Sequence, residues 1–373
     1  MIYFDNAAST YKKPPEVTKA LKKAITEYAA NPGRSQHDLS VKAAEAVYSC
    51  REKLAQMYNT QPEYAIFTCN ATQAINIVLK GYLKSGDEVI TSDMEHNAIL
   101  RPLKAVEKSG VKTQAAVVLP DDNKTVENFK NLINEKTQLI AITGASNVTG
   151  KILPVAQLGE LCRSNNIKLL IDGAQSGGYV DYNMQRDNID FLCLAGHKGL
   201  YGPQGAGALL LKENTGLATI VEGGTGTDSK NTIQPEELPE RLESGTLCLP
   251  CIMGFHAGLD FITGGGFKEK LAMEQELLLY AYKELKKIGA VLYTDLPDNG
   301  YVPVLSFNIK NLPSTETGGI LSDNGIYVRS GFHCNGAAHK KLMTDEIGTV
   351  RISFSVYNKK SEIDRMIKVL KNI

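Results

Sequence analysis

Neither sign of charge is in excess in this chain, since 41 Lys and Arg balance 41 Asp and Glu. Without a basic field, nothing draws nucleic acid or an anionic membrane surface, and neither is expected as a partner. Apolar runs long enough to span a bilayer are missing. The opening stretch MIYFDNAAST has neither the charged nor the apolar region of a secretory leader, so secretion is not expected. The seven cysteines are an odd number scattered without a disulfide rhythm, as suits a reduced compartment. Repeats, low-complexity tracts and long linkers are also lacking. These absences leave a cytoplasmic enzyme as the most economical class. At 373 residues the chain exceeds what one core normally supports, so two domains are expected.

What is present, from about residue 64, is an alternation of short apolar runs with segments of helical period. YAIFTC precedes TQAINIVLKGYL, DEVITS precedes NAILRPLKAVEKSG, and QLIAITGAS precedes PVAQLGELCRSNN. Runs that are apolar throughout suit strands buried on both faces, and the βαβ alternation suits a mostly parallel sheet. AGALLLKE adds one further strand, reached through the glycine-rich GPQGAG. After about residue 250 the texture changes to a long helix (FKEKLAMEQELLLYAYKELKKIG), the strands VPVLSFNIK and VRISFSVYN, and a closing helix SEIDRMIKVLKN. The expectation is an α/β fold with a large domain over 15–250 and a small C-terminal domain over 251–373 joined by 1–14.

Ligands of open parallel sheets bind at the carboxyl ends of the strands. Those ends carry Asn70-Ala71-Thr72, Asn147, Asp172 and His197-Lys198. Thr72 either caps its own helix or, with the free N–H groups of that turn, receives a phosphate. Asp172 is either a structural cap at Gly173 or the partner of a cation. Lys198 lies between glycines that let another molecule approach the backbone. A cofactor with a phosphate, a protonatable ring nitrogen and an aldehyde uses all three, and pyridoxal 5'-phosphate has that chemistry, with Lys198 as its Schiff-base lysine.

The stretches YFDNAAS, NATQAIN, MEHNAIL, SNVTG, IDGAQS, GHKGLYGPQGAG, ESGT, RSGFHC and VRISFSVYN occur in an order that resembles the class V aminotransferases, most closely their cysteine desulfurase/selenocysteine lyase branch. The resemblance covers nearly the whole chain. It implies the large-domain/small-domain fold of aspartate aminotransferase-like pyridoxal phosphate enzymes (fold type I) and a homodimer. It implies that Lys198 carries the cofactor and moves the Cα proton, that Asp172 pairs with the ring nitrogen and Gln175 with the ring hydroxyl, and that His96 stacks on the ring. Ala71, Thr72 and His197 are implied at the phosphate, with Thr246 supplied from the partner subunit. Asn147 is implied at cofactor or substrate, Arg351 at the substrate carboxylate, and Cys334 as the acceptor of sulfur.

The residues themselves agree with part of this. Arg351 in an apolar strand needs an anion, either a substrate carboxylate held by its planar fork or a structural acid. Arg329 and His333 place cationic character beside the Cys334 thiol, and Arg329 also joins the substrate-binding set. The expected reaction converts L-cysteine to L-alanine and leaves a persulfide on Cys334, which a mobile loop presents to a sulfur-acceptor protein. L-selenocysteine is a substrate of the same chemistry, and an aminotransferase or epimerase on this fold is the rival that has no need of Cys334. The motif CLPC at 248–251 has no second CxxC to complete a metal site, none is expected elsewhere, and both cysteines read as packing. Ala195 stands where many relatives in the family carry a phosphate-binding serine, and Phe332 makes the mouth of the Cys334 loop more apolar. That loop is short, as in the second, short-loop group of desulfurases.

Overall fold

The structure, a computed structural model, describes residues 1–33, 35–295, 300–310 and 312–373. After β1 (Ile2–Tyr3) and two helices, Pro15–Glu27 and Asp38–Tyr58, the chain enters its main sheet. The strands are β2 (Ala65–Thr68), β3 (Glu88–Ser92), β4 (Lys112–Ala116), β5 (Thr137–Thr143), β6 (Lys168–Asp172), β7 (Phe191–Ala195) and β8 (Gly207–Leu211). Their order across the sheet is β2-β8-β7-β6-β5-β3-β4. Every pairing is parallel except the two made by β8. The direction of β8 follows from its connection. No crossover helix separates it from β7, only the turn holding Gly202 and Gly205, so the chain returns alongside itself.

Both faces of the central strands are covered, which is why they read as unbroken apolar runs, whereas the edge strand β4 is polar and partly exposed. Leu192 and Leu194 of β7 enter one cluster, with Phe67, Ile140 and Leu210. Phe191 and Cys193, one residue out of phase, enter another with Ile66, Leu170 and Leu209. The period of two thus feeds two separate cores from one strand.

A four-stranded antiparallel sheet, β12-β13-β10-β9, forms the second body, from β9 (Val291–Leu292), β10 (Val304–Asn308), β12 (Arg329–Gly331) and β13 (Thr349–Ser353). β1 pairs in parallel with β11 (Ile326–Tyr327), so the N-terminus belongs to this body. Ile2 and Phe4 pack there with Leu278, Leu285, Phe307 and Ile352. The closing helix Lys360–Leu370 presents Ile363, Met366, Ile367 and Leu370 at helical spacing to the same cluster. The helix Leu249–Thr263, which runs through residue 250, packs instead with the first cluster of the main sheet, through Ile252, Phe255 and Leu259. Among the described residues no helix is long and apolar enough to cross a membrane.

Candidate active site

The carboxyl ends of β2, β5, β6 and β7 converge beside the second body. At the end of β7, Lys198 is half-buried, and burial foremost lowers its ammonium to about 8. Asp172, at the end of β6, opposes that shift, while Arg351 and Arg329 add to it. Asp172 itself is 3% exposed and accepts from Ala174 N at 2.9 Å. Burial raises its carboxyl above the usual range, and Lys198 works the other way. A carboxylate so deeply placed gains most from a cation held against it.

His96 caps the helix Asn97–Glu107, its Nδ1 accepting from Ala98 N at 3.0 Å. That bond leaves the neutral ring with its proton on Nε2. Burial, followed by Lys198, Arg329 and Arg351, takes the imidazolium down to about 4, so the ring is uncharged and flat near neutral pH. Beneath it Glu95 is fully buried, bonded by Ser92 Oγ at 2.5 Å and Thr143 N at 2.8 Å, which ties the loop after β3 to β5.

The turn after β2 is capped by Asn70 rather than by Thr72. Asn70 Oδ1 accepts from Gln73 N at 2.9 Å, and Thr72 lies exposed in the first turn of the helix Ala71–Tyr82. The N–H groups of Ala71 and Thr72 are first-turn donors that the helix cannot satisfy itself. Gly207 of β8 lets this turn lie close, because a Cβ there would meet Asn70 Cα at 2.9 Å. His197, half-buried, keeps an Nδ1 with no partner among the described residues, and burial takes its ring to about 4. Its carbonyl collects Lys13 Nζ at 2.9 Å and Thr10 N at 3.1 Å, a contact of the N-terminal segment that no local pattern announces. An orphaned imidazole nitrogen, first-turn N–H groups and a buried carboxylate near a depressed lysine fit a cofactor with phosphate, ring cation and aldehyde. Gln175 is buried and spends its Nε2 on Ala7 O at 2.9 Å. Ala195 is buried and offers no hydroxyl.

Arg351 in β13 pairs with Asp5 at 2.7 Å and also donates to Asn147 O at 3.1 Å. The sequence pattern named the need for an anion but not Asp5, which is 346 residues away. Arg351 lies directly opposite Arg329 in the β12–β13 register. Two like charges so placed repel, and burial lowers Arg351 below its ordinary value. Its Nε has no partner among the described residues. One acid for two guanidinium groups leaves room for a second carboxylate.

Cys334 is exposed beside this pair, its Sγ 3.7 Å from Arg329 Nη2. The loop around it is pinned. Asn97 N donates to Cys334 O at 3.0 Å, and Asn147 Nδ2 donates to His333 O at 2.8 Å. Buried Asn335 donates to Asn147 Oδ1 at 2.8 Å and to Met94 O at 2.9 Å. Asn147 thus has its amide committed to the cysteine loop, a role its motif did not reveal. His333 and Cys334 both adopt left-handed backbone, φ 51° and 55°, which these bonds sustain. His333 is buried with its Nε2 2.8 Å from Thr349 Oγ1, and burial drives its ring to about 2, so it is neutral and lends Cys334 no charge. That role rests with Arg329. Phe332 is 48% exposed at the mouth.

Thr246 is exposed and lines a cavity of about 220 Å³ together with Cys69, Gln73 and Cys248. Its segment is anchored by buried Glu243, paired with Arg51 at 2.5 Å. Cys251 packs partly against the core, but Cys248 is exposed, so packing accounts for only one of the two.

A family model described as "Aminotransferase class-V" matches residues 2–366. A "probable cysteine desulfurase" of Synechocystis sp. is 32% identical, over 99% of this chain and 90% of its own length. Another of that description, from Methanothermobacter thermautotrophicus, is 32% identical over 100% of this chain and 94% of its own. The solved apo structure of a cysteine desulfurase from Thermococcus onnurineus superposes with a TM-score of 0.91 at 30% identity, covering 100% of this chain and 94% of that one.

Proposed function

The chain belongs to the class V aminotransferase family, and from that premise we propose that it is a pyridoxal 5'-phosphate-dependent cysteine desulfurase in which Cys334 takes the sulfur of L-cysteine. The observation that carries this reading is an exposed cysteine held by Arg329 at the same mouth as Arg351, whose Nε lacks a partner among the described residues, and a half-buried lysine of lowered pKa. When bound, the cofactor supplies an aldehyde for amines and a cationic ring that draws electrons from the Cα of an amino acid. Ala71 N, Thr72 and His197 Nδ1 would hold its phosphate, Asp172 its ring nitrogen, Gln175 its hydroxyl and the His96 face its ring. Lys198 is the attachment point.

The chain's own groups divide the remaining work. Lys198 Nζ, near 8, holds or releases a proton close to neutral pH and moves it at the substrate Cα. Arg351 and Arg329 bind the substrate carboxylate with charge-assisted bonds. Arg329 Nη2 holds Cys334 Sγ at 3.7 Å, and the nucleophile is its thiolate. That thiolate attacks the substrate sulfur, the substrate Cβ–S bond breaks, and Cys334 carries the persulfide. The carbon fragment gains a proton and leaves as L-alanine, so one thiol and one L-cysteine balance one persulfide and one L-alanine.

In a homodimer, exposed Thr246 would serve the cofactor phosphate of the second copy. Exposed Phe332 beside Cys334 gives an acceptor protein an apolar foothold. The free state of all seven cysteines supports a cytoplasmic setting. Quantifying L-alanine from L-cysteine and from L-selenocysteine, with and without thiol reductant, tests the reading. The desulfurase account expects alanine from L-cysteine, increased by reductant that unloads the persulfide. Failure to release alanine from L-cysteine would overturn it, and release from L-selenocysteine alone would make the protein a lyase for that substrate.

A further inference from the structure

Cys248 and Cys251 take no part in the chemistry derived above. Cys248 is the N-cap residue of the helix Leu249–Thr263 and Cys251 is its third residue. Their sulfurs stand 2.9 Å apart, less than about 1 Å beyond the ~2.05 Å of a disulfide bond. Both are free thiols. The two are unequal. Cys248 is exposed at the N-cap of that helix, with no capping bond to its sulfur. Cys251 is half-buried, 3.6 Å from Gln204 O, and its thiol is pushed up to about 12 by burial and by Cys248. The turn leading into β8 is shaped around it. Gly205 lies at φ +84°, and a Cβ there would come within 3.2 Å of Cys251 Sγ. Beside Cys248 opens the 220 Å³ cavity that it shares with Cys69 and Thr246.

We propose that Cys248 and Cys251 form a thiol–disulfide exchange site for low-molecular-weight disulfides. The Cys248 thiolate attacks one sulfur of the small disulfide RSSR, whose S–S bond breaks and releases one RS⁻. The mixed disulfide removes the negative charge that opposes ionisation of Cys251. Cys251 then loses its proton, attacks Cys248 Sγ and expels the second RS⁻. Two protein thiols are oxidised by two electrons, RSSR is reduced to two RSH, and the two thiol protons end on them. The resulting bond pins the residues that follow Thr246 to the helix they open.

The test treats the reduced full-length protein with 2-hydroxyethyl disulfide, quenches with acid and an alkylating reagent, and maps each cysteine by mass spectrometry. The peptide containing Cys248 and Cys251 should lose two hydrogens and carry no adduct, reversibly with reductant. Cys334 should keep a mercaptoethanol adduct. In Cys251→Ser the adduct should persist on Cys248, and in Cys248→Ser the reaction of Cys251 should slow at least tenfold. Two free thiols in that peptide while Cys334 reacts fully would overturn the proposal. So would a lasting adduct on Cys248 of the wild type, or a bond between Cys248 and Cys69.

Discussion

Arg351 is where the proposed carboxylate site can be argued at single-residue scale. A charge inside the apolar run of β13 is conspicuous in the sequence, so the residue was legible. Its partner Asp5 was not, because no local pattern links positions 346 residues apart. The same holds for Asn335, whose buried bonds to Asn147 and Met94 join three distant segments. With Arg329 opposite, Asp5 on one terminal nitrogen and Asn147 O on the other, the planar fork of Arg351 has its Nε left to offer. Arg351→Lys keeps the charge and loses the fork. Losing one charge-assisted bond of ~1.5–3 kcal/mol should raise KM for L-cysteine by about tenfold or more, with a smaller change in kcat. Steady-state kinetics with varied L-cysteine checks this, and an unchanged KM would remove Arg351 from the carboxylate site.

Elements were legible where their own residues decide them. The buried parallel strands and the closing helix follow from apolar period and run length. The direction of β8 was hidden, because an apolar run carries no arrow, and the cap at Asn70 was hidden by a hydroxyl residue two places on. β8 bears on the site through Gly207, where a Cβ would stand 2.7 Å from Leu194 O and 2.9 Å from Asn70 Cα. Gly207→Ala should therefore push the turn away and weaken cofactor binding by about tenfold, equal to ~1.4 kcal/mol. Absorbance titration of the apoprotein measures it, and an unaltered affinity would separate the turn from the phosphate.

A second contact between elements predicts a pH effect. Glu274, in the helix Phe267–Lys287, is buried and accepts from Tyr201 OH at 2.9 Å, just past Lys198. Burial raises its carboxyl to about 8 from an ordinary 4.5. Between those values the folded chain keeps a proton that the unfolded chain has lost, so this residue's contribution to stability falls as pH rises. Glu274→Gln keeps an acceptor for Tyr201 and cannot ionise. Urea midpoints of the apoprotein should agree with wild type near pH 4.5, and the variant should lead by at least about 1 kcal/mol near pH 8. Parallel pH curves would show that Glu274 does not titrate in this window.

At the scale of the whole molecule, the N-terminus closes the second body through β1–β11 and Asp5–Arg351, so the first residues and the last strand are held together. The change of texture near residue 250 is a feature of the sequence from which a domain boundary is expected. The allegiance of the helix Leu249–Thr263 was not legible, because LPCIMGFHAGLDFIT is apolar nearly all round and fits either core. The proposed homodimer has a functional test in Thr246. Mixing a Lys198→Ala chain with a Thr246→Val chain should restore part of the activity, since one site of a mixed dimer collects both defects and the other neither. No recovery after demonstrated subunit exchange would place each site within one chain. The central claim is that sulfur passes to Cys334. The measurement that reaches it most directly is mass spectrometry of the cofactor-loaded protein after brief exposure to L-cysteine, with Cys334→Ser alongside. One added sulfur on the peptide containing Cys334, absent in the variant together with alanine release from L-cysteine, is the predicted result. Alanine formed by Cys334→Ser at the wild-type rate, with no sulfur on Cys334 of the wild type, would contradict it.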